Sequence, residues 1–214
     1  MKYVLLTGAS GGLGTHLSEY LLERGYYVIM LYNNHKEEVE KIRNKYENSM
    51  IYKIDLTKDE EINDLIDWLR VNEISIDILI NNAAIDLTSA LKDKTKDTFI
   101  KTYEINTYVP FKLMRDLTYN TCVNISSDNA IDTYDEVSIE YDLSKVSLNM
   151  LSNIFRSIYP DRVINTICFG WLDTNMNKLD EDIKKYINFV PFDEACSEIE
   201  KLFKENKDIV IIRK

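Results

Sequence analysis

Tyr141 and Lys145 stand four residues apart in a stretch of helical apolar spacing, which puts both side chains on one face. A free tyrosine titrates near ~10, and a lysine ammonium beside it stabilises tyrosinate and lowers that value. The pair can then exchange a proton with an alcohol or a carbonyl oxygen near neutrality. Ser126 or Ser127, after an apolar run, could hold the same oxygen by hydrogen bonding. Taken singly, a Tyr and Lys at this spacing form a solvated helix face and a Ser-Ser pair forms a turn. The chemistry gains meaning only beside a second feature.

That feature is at the start of the chain. The apolar run Tyr3 to Leu6 ends in Thr7-Gly8-Ala9-Ser10-Gly11-Gly12-Leu13-Gly14, and Leu13, Leu17 and Leu21 then recur every four residues. This pattern is strand, glycine turn, helix. Glycines let backbone approach a ligand closely, and the first N–H groups of a helix are unsatisfied donors. A pyrophosphate suits such a turn.

The rest of the chain alternates strand and helix. Apolar runs at 26–32, 50–54, 76–80, 122–125, 163–168 and 209–212 read as strands. Helices are expected at 37–46, around Ile62, Leu65, Ile66 and Leu69, and at 98–118, 139–159, 180–187 and 193–205. Strands this apolar, separated by helices, predict a sheet covered on both faces. The expectation is one α/β domain over 1–214, a doubly wound Rossmann-type three-layer sandwich with a mostly parallel, seven-stranded sheet. Ligands of such folds bind beyond the carboxyl ends of the strands. That edge carries residues 8–14, 32–34, Asp55-Leu56, 81–84, Ser126-Ser127 and 169–174.

Composition narrows the classes. The net charge of −10 disfavours a nucleic-acid surface, and no stretch is long and apolar enough to cross a membrane. Met1 leads almost at once into a strand, leaving no room for a signal peptide, so a cytoplasmic protein is expected. Cys122, Cys168 and Cys196 are widely separated and read as buried free thiols. With His16 and His35 the only histidines, no metal site is expected.

Together the glycine turn, Ser127 and the Tyr–Lys pair resemble the classical short-chain dehydrogenases/reductases, over nearly the whole chain. The turn matches Thr-Gly-x-x-x-Gly-x-Gly, and Asp55-Leu56 matches the acidic pair that meets adenine. Asn81-Asn82-Ala83-Ala84 matches Asn-Asn-Ala-Gly with alanine last, and Asn106 stands at the helix asparagine. Val123 to Ser127 matches the segment with the catalytic serine, and Tyr141 to Lys145 matches Tyr-x-x-x-Lys. Residues 165–174 resemble Asn-x-x-x-Pro-Gly-x-x-x-Thr, with Phe169 replacing proline. The resemblance implies NAD(P)-dependent interconversion of a carbonyl and a secondary alcohol. By it, Tyr141 is the acid or base, Lys145 lowers its pKa and holds the nicotinamide ribose, Ser127 orients the substrate oxygen, and Asn106 supports a relay water. It implies a cofactor site at Gly8, Ser10, Gly11, Gly12, Leu13, Gly14, Asn33, Asp55, Leu56, Asn82, Ala83, Ala84, Tyr141, Lys145, Gly170 and Thr174.

Some positions depart from the family pattern. Ser127 and Tyr141 are fourteen apart, one more than the family spacing, read here as a one-residue loop insertion. Asp128 stands at the shorter spacing but cannot donate when ionised. After the second strand comes Tyr32-Asn33-Asn34 with His35 and Lys36, no carboxylate, so NADP is favoured over NAD. A tetramer is less expected than a homodimer built through helices 98–118 and 139–159. Acidic residues at 128, 132, 135, 136 and 140 read as a solvated loop rather than a site for a cationic substrate, and Tyr134, Trp171 and Met176 as an apolar pocket lining. Pro110 cannot bond the Asn106 carbonyl, so a helix kink is expected there, freeing that oxygen for the relay water. Two other readings share the fold: an extended-type sugar-nucleotide epimerase or dehydratase, since Gly8, Gly11 and Gly14 also fit Thr-Gly-x-x-Gly-x-x-Gly, and a non-catalytic dinucleotide sensor.

Overall fold

The fold is described from a computed structural model, over residues 1–174, 176 and 180–214. The described strands are β1 (Tyr3–Leu6), β2 (Tyr27–Tyr32), β3 (Ser49–Lys53), β4 (Ile78–Asn81), β5 (Thr121–Ser127), β6 (Val163–Phe169) and β7 (Ile209–Ile212). They form one sheet in the order β3-β2-β1-β4-β5-β6-β7, and every pairing is parallel. The order reverses between β1 and β4, which opens a crevice at their carboxyl ends.

Side chains alternate across the sheet, so Val4 and Leu6 face one layer while Leu5 faces the other. The first layer holds α1 (Gly12–Glu23) through Leu17 and Leu21, α2 (Lys36–Lys45) through Val39, and α8 (Phe192–Lys201) through Ile199. The second holds α3 (Asp59–Val71) through Ile62 and Leu65, α5 (Val109–Asp116) through Leu113, and α6 (Ile139–Ile158) through Phe155. The three cysteines are buried and free, as their apolar neighbours suggested.

Three expectations on helices need correction. The segment 98–118 is not one α-helix: α4 (Lys96–Tyr103) passes through a π-turn (Glu104–Tyr108) into α5. The Val109 N–H reaches back to the Glu104 carbonyl, so the helix widens by one residue just before Pro110. That is how it accommodates a residue with no N–H and a bulky ring. The helix expected at 180–187 is the single turn α7 (Glu181–Lys184). The last expected helix ends at Lys201, where Leu202 and Phe203 close the turn with bonds to Ile199 and Glu200.

Candidate active site

The glycine turn is built by contacts that exclude side chains. Gly8 has φ +65°, and a Cβ there would lie 2.8 Å from the Ala83 Cα. A Cβ on Gly14 would lie 2.2 Å from the Gly8 carbonyl oxygen, so only glycine lets α1 start this close to the turn. The Thr7 hydroxyl accepts from the N–H groups of Asn82 and Ala83 at 3.0 and 2.9 Å. The Asn82 amide donates back to the carbonyls of Thr7 and Gly8 at 2.9 and 3.1 Å. The turn and the end of β4 are thus one rigid unit. Gly11 is the N-cap of α1 and has no side chain to cap the first N–H groups; among the described residues a Cβ built on it would meet the Gly8 oxygen, at 3.4 Å.

This turn forms one end of a cleft of about 1060 Å³ along the carboxyl edge. Gly8, Ser10, Gly11, Gly12, Leu13, Gly14, Asn33, Asp55, Leu56, Asn82, Ala83, Ala84, Gly170 and Thr174 all line it. Asp55 sits beyond β3, where bonds from Thr57 hold its carboxyl below the ordinary value. Thr174 packs on Gly12. Met176, Tyr134 and Trp171 line the cleft as expected, and so does Glu38 of α2.

Ser127, Tyr141 and Lys145 line the same cleft. The Ser127 hydroxyl accepts from the Asn129 N–H at 3.2 Å and acts to lower the pKa of the Tyr141 phenol, while Ser126 is buried opposite Cys168 in the β5–β6 pairing. Of the two serines, Ser127 is the one that acts on Tyr141. Lys145 is buried, its ammonium donating to the Ile125 carbonyl at 2.8 Å and lying 5.4 Å from the centre of the Tyr141 ring. Burial pushes Lys145 down to about 8. The expected lowering of Tyr141 is not seen. Burial raises its pKa well above the ordinary value; Ser127 opposes this, and the carboxylates Asp86, Asp142 and Asp128 add to it.

Asn106 lies outside the cleft lining, and its side chain braces the loop after β4. Its Oδ1 accepts from the Ile85 N–H and its Nδ2 donates to the Ile85 carbonyl, both at 2.9 Å. The same Nδ2 reaches the Ser144 hydroxyl at 3.0 Å, and that hydroxyl donates to the Tyr141 carbonyl at 2.7 Å. The π-turn thereby ties the loop after β4 to the first turn of α6.

The acidic loop is more structured than expected. Asp142 accepts from Asn129 at 2.7 Å and from the Asp135 N–H at 2.9 Å. Glu140 is buried against Lys94, with Nζ and Oε2 at 2.5 Å. Burial alone would raise the Glu140 carboxyl, but bonds from Lys94 and Thr98 leave it below its ordinary value. Asp128 and Asp132 pair with Arg213, just after β7. Sequence reasoning missed Asp86, Lys94 and Arg213. Each lies in or beside a loop, with no pattern to mark it.

A glycine turn at a helix N-terminus and a Ser–Tyr–Lys set share one cleft, in the sheet order that places nucleotides at its crevice. The short chain dehydrogenase family model matches residues 2–184. The chain belongs to the short-chain dehydrogenase family. It is therefore an oxidoreductase of alcohol and carbonyl groups, and NAD(P) dependence comes with the family. A diacetyl reductase [(S)-acetoin forming] of Staphylococcus epidermidis is 23% identical over 198 residues, 86% of this chain and 77% of the relative. An NADPH-dependent 1-acyldihydroxyacetone phosphate reductase of Saccharomyces cerevisiae is 26% identical over 96% of this chain and 73% of the relative. Among solved structures, a Pseudomonas aeruginosa RhlG/NADP active-site complex aligns with TM-score 0.90 at 20% identity, covering 99% of this chain and 94% of that one. A 4-hydroxyisoleucine dehydrogenase mutant complexed with NADH and succinate aligns with TM-score 0.89 at 23% identity, covering 99% and 97%. At these identities the likeness in structure is one of fold.

Proposed function

We propose that this short-chain dehydrogenase interconverts a ketone or aldehyde and its alcohol, with Tyr141 as the proton donor and acceptor. The observation that carries this reading is the convergence of Ser127, Tyr141 and Lys145 on the cleft that begins at the uncapped N-terminus of α1. The open face of Gly11 and the free N–H groups beside it fit a pyrophosphate. A nicotinamide cofactor bound there supplies the hydride, and the chain supplies everything else.

In reduction the carbonyl carbon gains the hydride and the oxygen gains the Tyr141 proton. Burial keeps the phenol protonated at neutral pH, as an acid must be. Ser127 donates a hydrogen bond to the same oxygen. Lys145, beside the ring, stabilises the tyrosinate left behind and holds the ribose of the cofactor. Asn106 positions α6 against the loop after β4. Pro110 denies the Asn106 main-chain carbonyl its usual donor, and we assign to that oxygen the water that returns a proton toward Lys145.

On cofactor choice, both His35 and Glu38 line the far end of the cleft, and Lys36 is taken up by Glu40 at 2.6 Å. The carboxylate of Glu38 tempers the NADP preference read from the sequence, so both cofactors serve, with NADPH ahead. A homodimer fits α6, whose Leu143, Val146, Met150, Ile154 and Ile158 form an exposed apolar stripe, with Ile100 of α4 alongside. The protein is assigned to the cytoplasm on its free thiols. The test is loss of reduced-nicotinamide absorbance on adding a panel of carbonyl compounds to purified protein. Turnover that is absent with NADH and NADPH alike, while either cofactor binds, would favour the non-catalytic sensor.

A further inference from the structure

Three strands end side by side at the edge that carries Ser127. The pairing sets Ser127 of β5 level with Phe169 of β6, and Phe169 level with Ile212 of β7. The residues that follow these three are Asp128, Gly170 and Arg213. The alignment continues past the strands, since the Gly170 N–H donates to the Ile212 carbonyl at 2.9 Å. Asp128 and Arg213 therefore stand two strands apart, roughly 9–10 Å at the usual sheet spacing. A guanidinium can cross that gap when no side chain rises between, and the residue between is a glycine. A Cβ on Gly170 would lie 3.5 Å from Asp128 Oδ2 and 3.6 Å from Arg213 Cγ, so a longer side chain would take the space that the pair fills.

Arg213 Nε meets Asp128 Oδ2 at 3.3 Å, and the terminal nitrogens of the same guanidinium hold Asp132. Asp128 is largely buried; burial raises its carboxyl pKa, and Arg213 is foremost among the groups that pull it back. The other carboxylate oxygen, Oδ1, stands 3.5 Å from Ser127 Oγ, at the outer limit of a hydrogen bond. Ser127 Oγ already accepts from the Asn129 N–H at 3.2 Å, so what it has left to give is its proton. A hydroxyl has one. A carboxylate free to close on a hydroxyl takes that proton at ~2.5–2.7 Å. A proton committed to Asp128 is denied to any other acceptor.

We propose that Arg213 is a positioning residue for the reaction: it holds the Asp128 carboxylate toward β7 and so leaves the Ser127 hydroxyl free to donate to the substrate oxygen. The inference rests on the oxidoreductase reading above, in which Ser127 is that donor. Arg213 acts through Asp128 on Ser127 and touches neither Ser127 nor the reacting atoms. Tying the loop down would need only Asp132, the more exposed of the two partners. The contact with Asp128 is the one that reaches the serine.

The test uses the full chain and NADPH, with benzaldehyde, cyclohexanone and a series of 2-alkanones as probes. Arg213→Met should lower kcat ~10-fold or more, because a donor aimed at the reacting oxygen is lost, while NADPH affinity, read by fluorescence, stays within about twofold. Arg213→Gln removes the same charge and should do the same, which covers the case in which the Met variant fails to fold. Arg213→Lys keeps the cation and should keep more of kcat than either. Adding Asp128→Asn to Arg213→Met removes the competing charge and should recover most of the loss. In a Ser127→Ala background Arg213→Met should change the residual kcat by less than about twofold, since the group it acts through is gone. A crystal structure of R213M should show Ser127 Oγ and Asp128 Oδ1 closed to ~2.5–2.7 Å. An unmoved kcat, a loss that Asp128→Asn does not recover, an effect undiminished by Ser127→Ala, or an unchanged Ser127–Asp128 separation would overturn the inference and leave the oxidoreductase reading standing. No hydride transfer by the unaltered chain to any probe would overturn that reading, and this inference with it.

Discussion

The two ends of the cleft are made of different materials. At the glycine-turn end the closest contacts are to backbone: Gly8 against Ala83, Gly14 against Gly8, and Thr7 bonded to the N–H groups that follow β4. Around Tyr141 the structure is held by pairs of side chains far apart in sequence: Lys94 with Glu140, Ser138 with Asp86, Arg213 with Asp128. Backbone contacts tolerate almost no change of residue type but need no charge. Charge contacts hold loops in place at the cost of desolvation, and they set the potential felt by the reacting group. The lesson is that the glycine-turn end is fixed in shape by sterics, whereas the end around Tyr141 is adjustable, because a single charge can be added, moved or removed there.

The largest effect should come from the one group in direct contact with the reaction. Tyr141→Phe should lower kcat by ~10²–10⁴-fold with cofactor affinity nearly unchanged. A variant that keeps more than about a tenth of the activity would break the assignment. Next comes the side-chain end. Lys94→Met leaves Glu140 buried without its cation and should cost about 3–5 kcal/mol in denaturant unfolding. Adding Glu140→Leu should recover most of the loss, which a backbone-built wall would not allow.

Lys145 gives a pH test of the same contrast. Its folded pKa is about 8 against an ordinary 10.5, so between these values the unfolded chain holds more protons. The buried charge therefore costs most below pH ~8, and the cost fades as pH rises toward ~10.5. Lys145→Met should accordingly raise the stability of the cofactor-free protein near pH 7, and that advantage should shrink by up to ~3 kcal/mol on going to pH ~10.5. A constant difference across that range would show that burial does not govern this lysine.

Gly14→Ala probes the backbone end. Alanine in a helix usually gains up to ~1 kcal/mol over glycine, but the Cβ here would collide with the Gly8 oxygen. The expected outcome is a loss of about 1–3 kcal/mol with weakened cofactor binding. The smallest effect is expected at Glu38, half-buried and paired with Lys41. Glu38→Gln should move the NADPH-to-NADH affinity ratio up by a few-fold only, as a screened surface charge does. No movement would mean that Glu38 does not face the bound adenosine.

Much of this was legible in the residues alone. The apolar runs gave the strands, and Leu13, Leu17 and Leu21 are buried in α1 as their spacing required. Each residue assigned to the cofactor from motif matching lines the cleft. The π-turn was half legible: Pro110 marked an interruption near Asn106, but whether a helix kinks or widens depends on what packs around it. The acidic loop was read as solvated, and for Asp132, Asp135 and Glu136 exposure agrees. For Glu140 it does not, and Asp128 is partly covered, because their partners Lys94 and Arg213 come from other segments.

The sequence by itself determined what depends on near neighbours: the order of strands and helices, the glycine turn, the face shared by Tyr141 and Lys145. Periodicity and steric limits are local properties, so they can be read locally. Only the tertiary structure decided which serine acts on Tyr141, that the Asn106 side chain braces the loop after β4, and that the phenol is raised rather than lowered. The reason is physical. A pKa sums burial and the charges gathered around one point, and the carboxylates of Asp86, Asp128 and Asp142 become neighbours only when β4, β5 and α6 are brought to one edge of the sheet.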